Sequence, residues 1–149
     1  MTRSIRVDIV SAEGEIFSCS ANLVCAPSVD GEIGIAPGHS PLIARLRAGD
    51  VRVQSEGQEE RVIFISGGMV EVQPDVVTVL ADTAERAEHI DLERAEAACR
   101  SAEIALAGAK GDFETARAQA ELAEALARLK AVEDLRKSHG RHRTGGGRS

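Results

Sequence analysis

The first eighty or so residues alternate between apolar and polar side chains in short segments that are separated by turn-forming residues. Ile5–Val10 has a period of two and places Ile5, Val7 and Ile9 on one face of a strand. Similar segments recur at about the 8–12-residue spacing that is typical of all-β sandwiches and barrels. Arg61–Ile65 is apolar enough to be a central strand. We therefore predict a small β-sandwich over residues 1–84.

The pattern changes at Asp82, after which the chain has no proline and is rich in Ala, Glu, Leu and Arg, which favour helices. Asp91 is a candidate N-cap of a first helix. A break at Gly108 and Gly111 then precedes a second helix, which we expect to end near Ser138. The apolar positions recur every three or four residues, at Leu92, Ala95, Cys99, Ala102, Leu106 and Ala109 in the first helix and at Ala118, Leu122, Ala125, Leu126, Leu129 and Val132 in the second.

These two segments predict an antiparallel helical hairpin over residues 85–139, followed by a basic, glycine-rich and disordered tail over residues 140–149. The predicted fold is thus an all-β N-terminal sandwich plus a C-terminal antiparallel α-helical hairpin, α+β overall with the two classes segregated. The small alanine side chains let the two helices approach closely but bury little area. We therefore expect the hairpin to be less stable than the sandwich.

Composition restricts the classes of function. Three Phe, with no Trp or Tyr, indicate an aliphatic core, and no apolar run approaches the ~20 residues that a membrane span needs. The net charge of −6 argues against nucleic-acid binding. Three cysteines, Cys19, Cys25 and Cys99, form no metal-binding or disulfide pattern. No nucleophile elbow, P-loop, zinc-protease motif or dinucleotide-binding fingerprint is present, so we predict no catalytic residues and no metal site.

A proline- and glycine-rich loop, Pro27–Gly49, carries the most specific signal. Its letters G-E-I-G-I-A-P-G-H-S-P-L, over residues 31–42, closely resemble the signature of the epsilon subunit of F-type ATP synthases. Further segments resemble that family in the same order, namely V-S-A-E-G-E-I-F at 10–17, S-G-G-M-V-E-V-Q-P at 66–74, V-L-A-D-T-A at 79–84 and A-Q-A-E-L-A at 118–123. The resemblance extends from about Val7 to about Leu135 and leaves out the tail.

The resemblance implies a non-catalytic subunit of the central stalk, the rotor of the proton-translocating enzyme. In this family the sandwich binds the gamma subunit and sits on the ring of membrane c subunits. Glu32 and His39 match the positions that face the c ring, although a turn histidine can also bond locally. We expect gamma to contact the region of Gly67, Gly68 and Met69 and one face of the sandwich.

The resemblance also implies that the helical hairpin regulates ATP hydrolysis. In this family a docked hairpin is permissive, whereas an extended one can contact the alpha and beta subunits and block hydrolysis. The matching basic residues here are Arg128, Lys130, Arg136 and Lys137; the alternative is a solvent-facing charged stripe that Glu121, Glu124, Glu133 and Asp134 dilute.

A further motif resembles the ATP-binding pattern of some bacterial epsilon subunits. It comprises Ile90, Asp91, Arg94 and Ala95, with Arg128 on the second helix. Because Glu124 stands where those relatives carry an arginine, we expect only weak regulatory binding of ATP and no required cofactor.

Two other interpretations remain open at the level of sequence. A generic adaptor would use the helical hairpin to dock a helical partner and would not bind a gamma subunit. The basic tail after Gly140 could instead bind an anionic membrane surface. The family interpretation predicts no nucleic-acid partner. It places the chain at the cytoplasmic face of the bacterial plasma membrane, held there only through the complex.

Overall fold

The structure, a computed structural model, describes the backbone of residues 3–146 and the side chains of residues 3–140. It comprises ten strands, one short 3-10 helix and two α-helices. Their bounds are β1 Ile5–Ser11, β2 Gly14–Ala21, β3 Leu23–Ser28, β4 Gly31–Ile35, β5 Leu42–Leu46, β6 Gly49–Gln54, β7 Arg61–Ile65, β8 Gly68–Val72, β9 Val76–Ala81, β10 Ala84–Arg86, the 3-10 helix Ala87–His89, α1 Leu92–Ala107 and α2 Gly111–Gly146.

The strands form a sandwich whose two layers are hydrogen-bonded to each other at one point. One layer has the order β10-β7-β6-β3, with β4 also on β3, and the other has the order β5-β8-β9-β1-β2. The layers meet where Ser28 of β3 pairs with Leu46 of β5. Only β1 and β9 run parallel among the described pairs; the other pairings are antiparallel. The predicted fold class, a sandwich followed by a helical hairpin, is confirmed.

The core between the layers is aliphatic, as the composition predicts. The inward faces of β1, β3, β6, β7, β8 and β9 supply valine and isoleucine side chains that are almost fully buried. Alternation fixes this arrangement, since a strand with one buried face must present its apolar residues every second position. The outward positions of these strands therefore determine what the two outer faces of the sandwich can contact.

The hairpin lies on the outer face of the layer that contains β6 and β7. Val62 and Phe64, the outward residues of β7, are buried with Ala87 and with Ala131 of α2. This contact explains why Arg61–Ile65 is apolar at consecutive positions: Ile63 and Ile65 face the core while Val62 and Phe64 face the hairpin. The strand is buried on both faces, one of them by helix.

Within the hairpin, α1 begins as predicted. Asp91 is the N-cap, and its Oδ1 accepts a hydrogen bond from the backbone N–H of Arg94 at 3.2 Å. The predicted stripe on α1 is confirmed at its centre, where Ala95, Cys99 and Ala102 are buried.

The bounds of α2 differ from the prediction at both ends. The helix begins at Gly111, a residue that we expected to lie in the break between the helices, and it continues to Gly146, whereas we expected an end near Ser138 and a disordered tail from Gly140. Proline is absent after Pro74, and the arginines of residues 139–144 favour a helix, so the single glycine there, Gly140, weakens the helix without ending it. Residues 147–149 of the predicted tail lie outside the described part of the chain.

The sequence also did not predict β10 and the 3-10 helix. β10 extends the first layer by pairing antiparallel with β7, and Ala87 in the following turn packs under α2. A three-residue strand is too short for alternation to reveal it. No helix in the described residues is long and apolar enough to cross a membrane.

Candidate functional site

The outer face of the second layer carries exposed apolar side chains. Ile43 of β5, Met69 of β8 and Leu80 of β9 have relative exposures of 67%, 39% and 53%. Met69 lies directly opposite Leu80, and Ile43 lies opposite Glu71, the next outward residue of β8. Large aliphatic side chains at outward positions of three adjacent strands form a patch, and such patches mark interaction surfaces. We call Ile43, Met69 and Leu80 the apolar face.

Of the three residues predicted near gamma, Met69 alone presents a long side chain on this face. Gly67 is buried and Gly68 is half-buried. Gly68 has a φ of 144°, and a Cβ placed on it would lie 2.1 Å from the carbonyl oxygen of Leu80. The glycine thus lets β8 approach β9 closely and positions Met69 beside Leu80. The sequence did not predict that Ile43 and Leu80 belong to this face, although a leucine at an outward, solvent-facing position of β9 is a recognisable sign of a contact surface.

The loop residues predicted to face the c ring are Glu32 and His39. Glu32 lies on β4, where its carboxylate pairs with the guanidinium of Arg52, and its side chain is 47% exposed. His39 lies in the turn after β4, and its Nδ1 is 2.7 Å from the carbonyl oxygen of Ser40. Since a carbonyl only accepts, Nδ1 donates, which leaves Nε2 as the acceptor of a neutral ring. Both residues remain candidates for the contact with the c ring.

The predicted ATP-binding residues are only partly brought together. Ala95 and Arg128 line a cleft of about 500 Å³ between the two helices, whereas Ile90, Asp91 and Arg94 lie outside its lining. The same cleft also contains the side chains of two acids, Glu121 and Glu124. Asp91 is used as a helix cap, and Ile90 packs against the cluster under α2. Carboxylates in the cleft disfavour a triphosphate there, so weak binding stays a prediction.

Two of the basic residues predicted to act on beta are held against the sandwich in this docked state. The guanidinium of Arg128 lies 4.9 Å from the centre of the Phe64 ring, and its Nε is 3.7 Å from Glu85 Oε2. The Lys130 Nζ is 2.6 Å from Asp134 Oδ2 and 3.8 Å from Asp50 Oδ1. Arg136 and Lys137, by contrast, are exposed. Docking thus engages the first pair of cations and leaves the second pair in solvent.

An unexpected acid lies under the second helix. Asp50 is an outward residue of β6, directly opposite Phe64 of β7, and it is 7% exposed. Burial, together with the hydrogen bond and the negative charge of Asp134, raises the pKa of Asp50 from 3.8 to about 7. Burial by itself would raise the pKa of Asp134, but hydrogen bonds from Asp50 and Lys130 lower that pKa. The hydrogen bond that Lys130 donates to Asp134 raises the pKa of Lys130, although desolvation of the ammonium acts in the opposite direction.

Comparison with known proteins agrees with this arrangement of sandwich and helices. The family model described as the beta-sandwich domain of the ATP synthase delta/epsilon chain matches residues 4–87, and the model of that chain's long alpha-helix domain matches residues 88–133. These two matches meet between Ala87 and Glu88, within the 3-10 helix.

Two curated bacterial relatives match almost the whole chain. ATP synthase epsilon chain 1 of Methylococcus capsulatus is 55% identical over 92% of this chain and 98% of its own. The ATP synthase epsilon chain of Nitrosococcus oceani is 54% identical over 94% of this chain and 100% of its own.

Solved structures share the fold at lower identity. A chain in the cryo-EM structure of the Euglena gracilis mitochondrial ATP synthase OSCP/F1/c-ring complex is similar with a TM-score of 0.77 and 21% identity. This alignment covers 87% of the present chain and 81% of the other. At this level of identity the similarity establishes the fold alone.

Proposed function

Since this chain belongs to the ATP synthase delta/epsilon chain family and is a non-catalytic subunit of the central rotor stalk, we propose that its sandwich joins the gamma subunit to the c ring. We place this contact at the cytoplasmic face of the bacterial plasma membrane. The membership leaves no support for a generic adaptor. The membrane-surface role of the tail after Gly140 concerns residues whose side chains are not described from 141 onward.

The apolar face carries the proposal for gamma. The sandwich has two outer faces with apolar side chains, and the hairpin covers the one that contains Val62 and Phe64. The other, formed by Ile43, Met69 and Leu80, has no cover within the described chain. Arg45 and Glu71 alternate with the apolar residues and supply charges of both signs around them. An apolar centre with polar surroundings is what a protein partner buries.

The turn that contains His39 and the strand that contains Glu32 are the candidates for the c ring. The carboxylate of Glu32 already pairs with Arg52, so a basic group on the ring would have to compete with or join this pair. Its half-exposed side chain permits a second cation to approach from solvent. Such exposed pairs contribute only ~0–1 kcal/mol each, which suits a contact that orients the subunit more than it holds it.

We further propose that the hairpin regulates hydrolysis by moving between the docked form and a released one. Docking rests on a small cluster, in which Val62, Phe64, Ala87 and Ala131 are the buried members. Release would free the cations of Arg128 and Lys130, which the sandwich now engages, for acidic surfaces of the alpha and beta subunits. The same two side chains therefore stabilise the docked form and supply the charge of the released one.

The substitution Leu80→Asp tests the proposal for gamma. It places a carboxylate on the apolar face, directly beside Met69, without touching the core, since Leu80 is 53% exposed. We expect its affinity for a co-expressed gamma subunit to fall at least about tenfold, as for an apolar interface residue that is replaced by an unpaired charge. Ile104→Asp is the matched control, because Ile104 is 74% exposed at the far end of α1. Equal loss of binding in both variants, or none in either, would refute this assignment.

A further inference from the structure

Asp50 combines burial with incomplete pairing at the contact between the sandwich and α2. Its Oδ1 lies 3.8 Å from Lys130 Nζ, while its Oδ2 is buried and has no hydrogen-bond donor among the described residues. The same ammonium is closer to Asp134, at 2.6 Å. One cation therefore faces two carboxyl groups, of which the more deeply buried one receives the longer contact.

The other charged groups near Asp50 offset its charge only in part, and Arg52 lowers its pKa less than Lys130 does. Arg52, two residues along β6, pairs with Glu32 of β4. The thiol of Cys25, which lies opposite Arg52 on β3, is partly buried, and desolvation raises its pKa, which favours the neutral thiol. On the helix side the facing groups are Lys130 and Asp134. The cluster of Asp50, Asp134 and Lys130 thus contains one cation and two acids.

The two carboxyl groups contact the same ammonium, since Lys130 Nζ lies 3.8 Å from Asp50 Oδ1 and 2.6 Å from Asp134 Oδ2, and each carboxyl shifts the pKa of the other in the way a hydrogen-bond partner does. Ionised carboxylates only accept hydrogen bonds, so a bond between Asp50 and Asp134 requires a proton on one of them. A buried acid and a half-buried acid that face each other share a proton more readily than both ionise, as like charges and desolvation disfavour the doubly charged state. Asp50 is the better holder of the proton, because it is more buried and farther from the ammonium.

We propose that Asp50 of the sandwich and Asp134 of the hairpin share one proton in the docked state, so that docking is tight at acidic pH and weakens as the pH rises. The consequence for the enzyme rests on the proposed regulation of hydrolysis by the hairpin. Docking itself is a property of the free chain and can be measured there. In the synthase, acidification would hold the hairpin in its permissive position, and alkaline conditions would favour release.

The direction of the pH dependence of docking follows from the number of protons that the docked and released states bind. In the docked state the pKa of Asp50 is raised to about 7 from the 3.8 of a solvated aspartate, so the docked form holds a proton that the released form gives up between these values. The docking constant should be largest near pH 4, fall as the pH rises toward about 7, and then level off. The lowered pKa of Asp134 acts in the opposite direction, but below its solvated value of 3.8.

A second polar contact joins the docked helix to the sandwich. His139 Nε2 lies 3.2 Å from Glu59 Oε2. The experiment must therefore separate Asp50 from His139.

The test is a titration of the full chain by carboxyl-carbon NMR between about pH 5 and pH 8.5, with the amide resonances of Phe64 and Ala131 as reporters of docking. We expect the Asp50 carboxyl to titrate with a midpoint near 7 and the reporters to follow the same curve. D50N should keep the reporters in their docked positions throughout, because an amide donates a bond to Asp134 as the protonated acid does. D134N should lower the Asp50 midpoint by a pH unit or more.

Two controls complete the design. E133Q alters an exposed acid next to Asp134, and H139Q removes the contact with Glu59; both should leave the Asp50 midpoint where it is. A wild-type Asp50 midpoint near 4, or reporters that still titrate in D50N but not in H139Q, would overturn the proposal. If Asp50 and the reporters titrate together, while hydrolysis by the assembled enzyme does not change with docking, the shared proton stands and the regulatory role of the hairpin falls.

Discussion

The guanidinium of Arg128 on the second helix lies 4.9 Å from the centre of the Phe64 ring on the sandwich, and this contact joins the two parts of the chain. Phe64 is fully buried, and Arg128 covers it from the helix side. The ring can contribute a cation–π interaction of about 1 kcal/mol in such a partly desolvated place. A residue expected from sequence to act on another subunit is thus first a residue that holds the hairpin in place.

Arg128→Ala should therefore loosen docking without unfolding the sandwich. We expect the population of the released form to rise about fivefold, from loss of the contact with Phe64 and of the exposed pair with Glu85. Protease susceptibility of α2 in the free chain measures this. Arg136→Ala is the matched control, since Arg136 is exposed on the same helix. Equal susceptibility of the two variants would show that Arg128 does not hold the hairpin.

Gly68→Ala should destabilise the sandwich, because the added methyl group would meet the carbonyl of Leu80 at 2.1 Å and the φ of 144° is unfavourable for alanine. We expect the free energy of unfolding to fall by at least about 2 kcal/mol in urea denaturation. Gly57→Ala is the control: Gly57 also has a positive φ, of 74°, but nothing lies within 4 Å of its Cβ position. A loss there of only about 1 kcal/mol is expected. Similar losses of unfolding free energy at both glycines would show that the close approach of β8 to the Leu80 carbonyl is not the cause.

Binding of ATP should be weak and should respond to charge in the cleft between the helices. Glu121 and Glu124 share this cleft with Arg128 and repel a triphosphate. Calorimetry on the free chain should therefore give a dissociation constant in the millimolar range, and Glu124→Arg should lower it at least about tenfold. Glu133→Gln, outside the cleft, should change nothing. The ATP hypothesis fails if neither the natural chain nor Glu124→Arg shows any heat of binding at millimolar ATP.

The sequence predicted the parts of the fold that depend on local pattern. Alternation located the longer strands, and the three-and-four spacing located α1, including its cap at Asp91. Of the stripe assigned to α2, Ala118 and Val132 are buried, whereas Leu126 is 47% exposed. The helix has a second side, Ala127, Ala131 and Leu135, that packs on the sandwich. Because its alanines recur on both sides, no single stripe stands out, and docking could not be predicted from periodicity.

The candidate sites show the same difference between what local sequence pattern predicts and what tertiary contacts create. Family resemblance identified Arg128 and Lys130, but it gave no sign that Asp50 and Asp134 meet, since they lie on elements far apart in the chain. The sequence pattern could show that Asp50 is an acid at an outward position of its strand, beside two buried strands, but no more than that. Its partner depends on where the hairpin docks. The apolar face was likewise hidden in part, because Ile43 and Leu80 become neighbours of Met69 only through the order of β5, β8 and β9.

The central claim, that a docked hairpin permits hydrolysis and a released one inhibits it, is tested most directly with Ala131→Glu. Ala131 is fully buried against Val62 and Phe64, so a glutamate there would separate α2 from the sandwich while leaving the apolar face intact. Ala120→Glu, at an exposed position of the same helix, is the control.

The measurement is the rate of ATP hydrolysis by the cognate catalytic complex, reconstituted to equal occupancy with the natural chain or with each variant. We predict a lower rate with Ala131→Glu than with the natural chain, and an unchanged rate with Ala120→Glu. An equal or higher rate with Ala131→Glu, at equal occupancy, would contradict this prediction.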